Sequence, residues 1–268
     1  MKPMRSLDWR TLTMVFALLA IWAVFSVTTD GMFLSPRNLS LLARQMSVTS
    51  LLATGMVLVI VAGQIDLSVG AMSGLLGALA ALAATRLGWP LPLAYALAPA
   101  LGVGLGAVQG SLVSRLRIPP FIVTLGGMLV FQGALLGITR GVTITPPPAF
   151  LGVGQTYLPA AVGLVLSAAI AVLFARQAVR STGTRRLRWI ALTALVPLFV
   201  HTMNAYAGVP VPVLLLVIVA SLLALVATRT PFGRHLYAIG GNREAAFYSG
   251  VPIERRITGV FMLMGALA

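Results

Sequence analysis

The sequence predicts a bundle of transmembrane α-helices, and three observations carry that prediction. Charged residues make up 9% of the 268 positions and hydrophobic residues 59%, whereas a water-soluble domain carries about 25% charged residues. The apolar residues come in long runs without the alternation of membrane-barrel strands, which leaves the helix as the backbone that satisfies its own polar groups in lipid. The breaks between runs are charged or rich in glycine and proline, as the ends of spanning helices are.

Taken in order, the apolar runs predict spans over residues 11–28, 46–62, 69–85, 92–114, 121–138, 157–175, 189–206 and 211–227, with a ninth starting at Ile257. The expected architecture is all-α and polytopic, with about eight complete spans and a truncated ninth, forming one transmembrane domain over residues 1–268. The first run, 11–28, lacks a small-residue cleavage site and reads as a membrane helix rather than a signal peptide. Gly88-Trp89-Pro90 predicts a tight turn with an aromatic at the lipid–water boundary. Pro119-Pro120 predicts a helix start, where proline is tolerated. Thr145-Pro146-Pro147-Pro148 predicts an extended external segment.

Charge fixes an expected orientation. With the N-terminus inside, fifteen of the nineteen basic residues fall on internal segments, from Lys2, Arg5 and Arg10 to Arg255 and Arg256. Four fall outside: Arg37, Arg44, Arg86 and Arg140. That is the positive-inside bias, and it accounts for a net charge of +14 without nucleic acid. Cysteine is absent and histidine occurs twice, which excludes disulfides and thiol chemistry and argues against a metal centre. The sequence G-x-x-x-x-G-K-[ST] of a phosphate-binding loop does not occur.

Two stretches carry functional information. In the first, Gly63-Gln64-Ile65-Asp66-Leu67-Ser68 interrupts a membrane-length run, and Asp66 is the only acidic residue between Asp30 and Glu244. A carboxylate at the centre of a membrane helix costs roughly 2.5–3.5 kcal/mol on insertion scales, so Asp66 needs a reason to be there. Either it caps the helix that begins near Ser68, or the helix is broken within the bilayer, where irregular backbone lines a cavity; a capped half-helix could also face a pathway. Small residues surround this stretch: Gly70 and Gly74 on the following run, and Gly102, Gly106 and Gly110 on a later one, are both spaced for close helix approach. The second stretch is the hydrophilic loop 228–256, expected inside, in which Glu244-Ala245-Ala246 followed by Gly250 predicts a short exposed helix ended by a chain reversal. Such a helix suits docking into a groove on a partner.

The motifs Gly63-Gln-Ile-Asp-Leu-Ser-Val-Gly70, Ile118-Pro-Pro-Phe-Ile-Val-Thr-Leu-Gly-Gly-Met128 and Tyr237-Ala-Ile-Gly-Gly-Asn-Arg-Glu-Ala-Ala246 with Gly250 resemble those of permease subunits of bacterial ABC sugar importers of the ribose/xylose group. The arginine-rich segment Arg176–Arg188 and the added span after it suit the xylose type over the shorter ribose type. The resemblance runs from about Trp22 to the last residue. It implies a multi-pass protein of the bacterial inner membrane with a cytoplasmic N-terminus, working as a homodimer on a sugar-type ABC ATPase and fed by a periplasmic sugar-binding protein. ATP and Mg would bind the ATPase, leaving this chain without a cofactor or catalytic residue of its own. The sugar implied is a pentose, xylose by type. Asn242, Arg243, Glu244, Ala245, Ala246 and Gly250 match the motif that rests on the ATPase. Asp66 and Ser68 fall beside the expected sugar pathway, to which Gln64, Phe121 and Thr124 would add an amide, an aromatic face and a hydroxyl. The family pattern continues beyond Ala268 with more helices, so a fragment or a truncated, non-transporting remnant is one expectation. A second is a self-contained carrier that couples an ion through Asp66. An intramembrane enzyme would need a nucleophile–base pair or metal ligands at membrane depth, and His201 has no acidic residue in its region.

Overall fold

A computed structural model describes residues 9–268, with side chains from residue 13 onward; Lys2, Arg5 and the Arg10 side chain lie outside the described residues. Among the described residues, twelve α-helices follow one another: α1 (Trp9–Thr28), α2 (Pro36–Val61), α3 (Val69–Thr85), α4 (Leu91–Ser114), α5 (Pro120–Thr139), α6 (Gly152–Gln155), α7 (Ala160–Arg180), α8 (Gly183–Asn204), α9 (Val211–Arg229), α10 (Pro231–Gly241), α11 (Arg243–Tyr248) and α12 (Ile253–Leu267). Among the described residues there is no strand, only an isolated bridge between Tyr157 and Pro210. Helices α2, α4, α5, α7 and α9 are long and apolar enough to cross a membrane, and Thr13–Thr28 and α3 are shorter apolar helices. The chain is a multi-pass membrane protein.

Several boundaries differ from the sequence reading. Helix α2 begins ten residues early, because Ser35 accepts from the Asn38 backbone N–H (3.3 Å) and Pro36 occupies the first helical position. The arginine-rich segment after residue 176 is not a loop. Arginine is a good helix former, and α7 and α8 run through it, leaving only Ser181 and Thr182 between them. The proline segment is extended only as far as Pro147; Pro148 opens a 3-10 turn to Leu151. Pro120 does start α5, and Gly88 does turn with positive φ.

The chain forms two compact units. The first contains Met1–Gln45 and Tyr157–Pro210. Its helical hairpin α7–α8 closes with Phe174 against Trp189 (5.4 Å between ring centroids) and a Leu158 N–H donated to the Val209 carbonyl at 2.8 Å. The second contains Met46–Thr156 and Val211–Ala268. Its core gathers Leu58 and Val59 of α2, Val113 of α4, Leu223 of α9, Leu236 and Ile239 of α10, and Ile257, Val260, Phe261 and Met264 of α12.

Helix α12 is central to that second core, although its residues read from the sequence as a short remnant. The reason lies in α4. A Cβ on Gly102 would collide with the Gly265 carbonyl, one on Gly106 with the Phe261 carbonyl, and one on Gly110 would sit 2.7 Å from the Thr258 Cα. The four-residue spacing therefore lets α12 lie backbone against backbone on α4. Gly70 and Gly74 differ from that expectation: nothing approaches a Cβ on Gly70, and Gly74 meets only the Leu135 side chain at an ordinary 3.5 Å.

Candidate functional site

The interruption after α2 folds into a buried polar knot. Gly63 takes a positive φ of 71°, which turns the chain out of α2. Asp66 then accepts two hydrogen bonds on one carboxylate oxygen, from the Ser68 N–H (2.8 Å) and the Ser68 hydroxyl (2.7 Å). Asp66 thus closes a turn immediately before α3 rather than capping the helix, whose N-cap is Ser68. From α4, the Gln109 amide donates to the Ser68 oxygen at 2.9 Å. From α5, the Thr124 hydroxyl reaches the Ile65 carbonyl at 3.3 Å while also bonding Pro120 O at 2.9 Å. Gly127 supplies the space, since a Cβ there would collide with the Gln109 amide nitrogen. Asp66, Ser68, Gln109 and Thr124 are all buried, so the polar groups satisfy one another instead of water.

The knot is not at mid-helix. Helix α2 has 26 residues before the break, about 39 Å at 1.5 Å per residue, which exceeds the roughly 30 Å hydrocarbon core. The interruption comes after a full crossing. Gln109 stands five residues before the end of α4 and Thr124 four residues after the start of α5, so the knot is recessed about 6–8 Å from that end of the unit.

At the same end stands the segment expected to be a loop, and it is largely helical. Thr230 accepts from the Gly233 N–H (3.2 Å) and Pro231 occupies the first turn, which starts α10. The Asn242 side chain accepts from the Ala245 N–H (2.9 Å) and starts α11. Gly250, at φ 76°, reverses the chain after α11 as the sequence predicts. Leu236, Ile239 and Ala246 bury one face of this segment in the core, leaving Arg243, Glu244 and Ala245 exposed.

Between this segment and the knot runs a cleft of about 820 Å³. Gln64, Arg117, Arg243, Glu244 and Glu254 line it, with the exposed aromatic pair Phe247 and Tyr248. The Gln64 amide donates to the Ala62 carbonyl at 3.1 Å. One contact ties α10 directly to the break: a Cβ on Gly240 would collide with the Val61 carbonyl and lie 3.3 Å from the Gly63 nitrogen.

The structure therefore brings Asp66, Ser68 and Thr124 together and sets Gln64 at the cleft. Phe121 is half exposed on α5 and lines neither the knot nor the cleft. Sequence reasoning missed Gln109, whose role depends on a partner 41 residues away. It also missed Phe247 and Tyr248, for which two adjacent aromatics in a hydrophilic stretch were an available signal.

The fold and site define a multi-pass helical membrane protein with a buried polar knot at one helix end, and its similarity to known proteins places it among transport permeases. Residues 38–268 match the family described as branched-chain amino acid transport system / permease component, and the chain belongs to that family. Over 98% of its length the chain is 45% identical to the xylose transport system permease protein of Escherichia coli (strain K12), of which it spans 71%. It is 40% identical to the xylose transport system permease protein of Haemophilus influenzae, over 100% of this chain and 75% of that one. A ribose import permease protein of Bacillus subtilis (strain 168) is 34% identical over 88% of this chain and 59% of its own. No solved structure matches. The resemblance to the ribose/xylose group holds, and family membership favours a permease component over an ion-coupled carrier or an enzyme.

Proposed function

We infer that this chain is the membrane permease of an ATP-driven importer for a pentose, with xylose the first candidate. The observation that carries this reading is the 45% identity over nearly the whole chain to a xylose transport system permease protein. On this reading the two compact units form one permease domain, two copies pair in the inner membrane with their N-termini in the cytoplasm, and a separate ATPase supplies the energy. The charge asymmetry supports that orientation. The ATPase docks on α11, where Asn242 to Ala246 and Gly250 set the helix and Phe247 and Tyr248 add exposed aromatic surface of the kind enriched at interfaces. A sugar-binding protein delivers the pentose at the opposite face.

The arrangement suggests how docking reaches the pathway. Movement of α10 and α11 bears on Val61 and Gly63 through the bare backbone of Gly240, and so shifts the turn that Asp66 and Ser68 hold. Gln64 faces the cleft in front of that turn and Thr124 stands behind it, so both flank the exit. Phe121, exposed on α5, lies outside that cleft. The chain is to be expressed in a strain lacking its own xylose permease but retaining the ATPase and binding protein, and uptake of labelled xylose, ribose and allose measured. ATP-dependent xylose uptake is expected. Uptake of ribose or allose alone would reassign the sugar. Accumulation driven by an ion gradient without ATP would overturn the ATPase-coupled reading.

A further inference from the structure

We propose that the groove between α3 and α5 is a binding site for the hydroxyl groups of a monosaccharide, with Gln132 as its principal hydrogen-bonding residue. This rests on the sugar-permease reading and adds a site that the motif residues do not include. The groove encloses about 610 Å³. Its α3 wall is made of small residues, Gly77 and Ala81 among them, and a Cβ on Gly77 would meet nothing within 4 Å. Its α5 wall carries Gln132 and Thr139, and Phe150 from the segment after α5 closes the end.

Gln132 is the observation that asks for a ligand. It is the thirteenth of twenty residues in α5, about 18 Å from the helix start, and therefore near the middle of a roughly 30 Å hydrocarbon core. Polar groups at that depth find a partner or mark a pathway. Gln109, the amide on α4, is buried and bonded to Ser68. Gln132 is exposed to the groove and makes no hydrogen bond to another described residue. Its free amide offers one acceptor and two donors, a match for adjacent sugar hydroxyls, which both donate and accept.

The surroundings fit the same ligand. Thr139 donates its hydroxyl proton to the Leu135 carbonyl (2.8 Å) and accepts from the Gly141 N–H (3.3 Å), which leaves one oxygen lone pair to accept from a sugar hydroxyl. Phe150 is held by stacking on Tyr95, with ring centroids 5.0 Å apart, and by the Tyr95 hydroxyl donated to its carbonyl at 2.7 Å. That ring is a fixed apolar surface for the C–H face of a sugar. Phe121, Gln132 and Thr139 are separated by 11 and 7 residues, which puts all three within about 20° of one another around α5. One stripe of the helix thus leads from the aromatic end near the knot, past the amide, to the outer hydroxyl.

The test uses the assembled transporter, with ATPase and binding protein, in proteoliposomes. Q132L removes the hydrogen bonds at similar volume, and Q132N keeps the amide on a shorter arm. Xylose uptake is expected to fall at least about tenfold in Q132L, the effect of losing one good hydrogen bond or more, with partial recovery in Q132N. Deoxy-xylose analogues provide the second readout. The wild type should transport an analogue lacking the contacted hydroxyl more slowly than xylose, and Q132L should no longer distinguish the two. Wild-type uptake in Q132L, with the wild-type protein transporting xylose, would overturn the site and leave the sugar-permease reading standing. A wild-type transporter that moves no sugar would overturn both. If Q132L instead dissociates the permease pair on a sizing column, the amide is a contact between copies and the sugar site is overturned.

Discussion

Two helix faces in the second unit carry glycine at nearly the same spacing and come to opposite ends. On α4, Gly102, Gly106 and Gly110 are pressed against the backbone of α12, so closely that no Cβ would fit. On α3, Gly70, Gly74 and Gly77 also share one face, yet a Cβ on Gly70 or Gly77 would stand in open space. Small-residue spacing permits close approach but does not bring it about. What decides is the facing element. Helix α12 offers Gly265 and bare carbonyls, whereas α5 offers Leu135 as an ordinary contact and then opens into the groove at Gln132. The first face is a seam that holds the unit together, and the second leaves room for something that passes.

The largest expected effect tests that division directly. Gly106→Val must displace the Phe261 carbonyl, a backbone atom that cannot rotate away, and should exceed the roughly 1–3 kcal/mol typical of overpacking. Little folded protein should survive, as seen by size-exclusion profile after gentle solubilisation. Gly77→Val should fold in normal amount, having space for its side chain, and should lower uptake by narrowing the groove. Equal loss of folded protein in both variants would break the comparison.

A second variant moves the question to the seam between α10 and the break. Gly240→Val would drive a side chain into the Val61 carbonyl. Its neighbour Gly241 meets nothing within 4 Å, so Gly241→Ala is the control. We expect Gly240→Val to reduce sugar moved per ATP hydrolysed by about tenfold or more while the ATPase still co-purifies, and Gly241→Ala to approach the wild type. Tight coupling in Gly240→Val would sink the idea that this contact carries the movement.

The sequence makes the spans legible because lipid leaves few choices: apolar runs of this length, cut by arginine and proline, have to be helices. Pro120 and Gly250 were readable for the same reason, each having a narrow set of allowed backbones. The polar ends of helices were harder. The first ten residues of α2 and the start of α8 hide behind Arg37, Arg44 and Arg185, which look like loop residues although arginine is at home in a helix. The loop 228–256 concealed α10, which is held by burying Leu236 and Ile239 against distant residues, whereas α11 was announced by Glu244-Ala245-Ala246 and Gly250. The site was legible only in part. Asp66 announces itself as an isolated charge, but nothing local indicates that Gln109 completes its turn or that Gln132 has no hydrogen-bond partner among the described residues, since both facts depend on which helices face each other.

Asp66 gives the smallest expected effect and the sharpest contrast between a positioning role and a charged one. Its hydrogen-bonded oxygen accepts from the Ser68 N–H and hydroxyl, and an asparagine carbonyl can accept both bonds in the same geometry. If Asp66 acts by holding the turn, Asp66→Asn should retain most transport. Asp66→Ala should then lose about 1–3 kcal/mol, because Ser68 is fully buried and its N–H would be left without a partner. Thermal unfolding of the solubilised protein gives the stability difference, and uptake gives the functional one. A stable Asp66→Asn protein with transport abolished would mean that the negative charge itself is used, and the knot would then have to be counted as part of the pathway rather than as the hinge beside it.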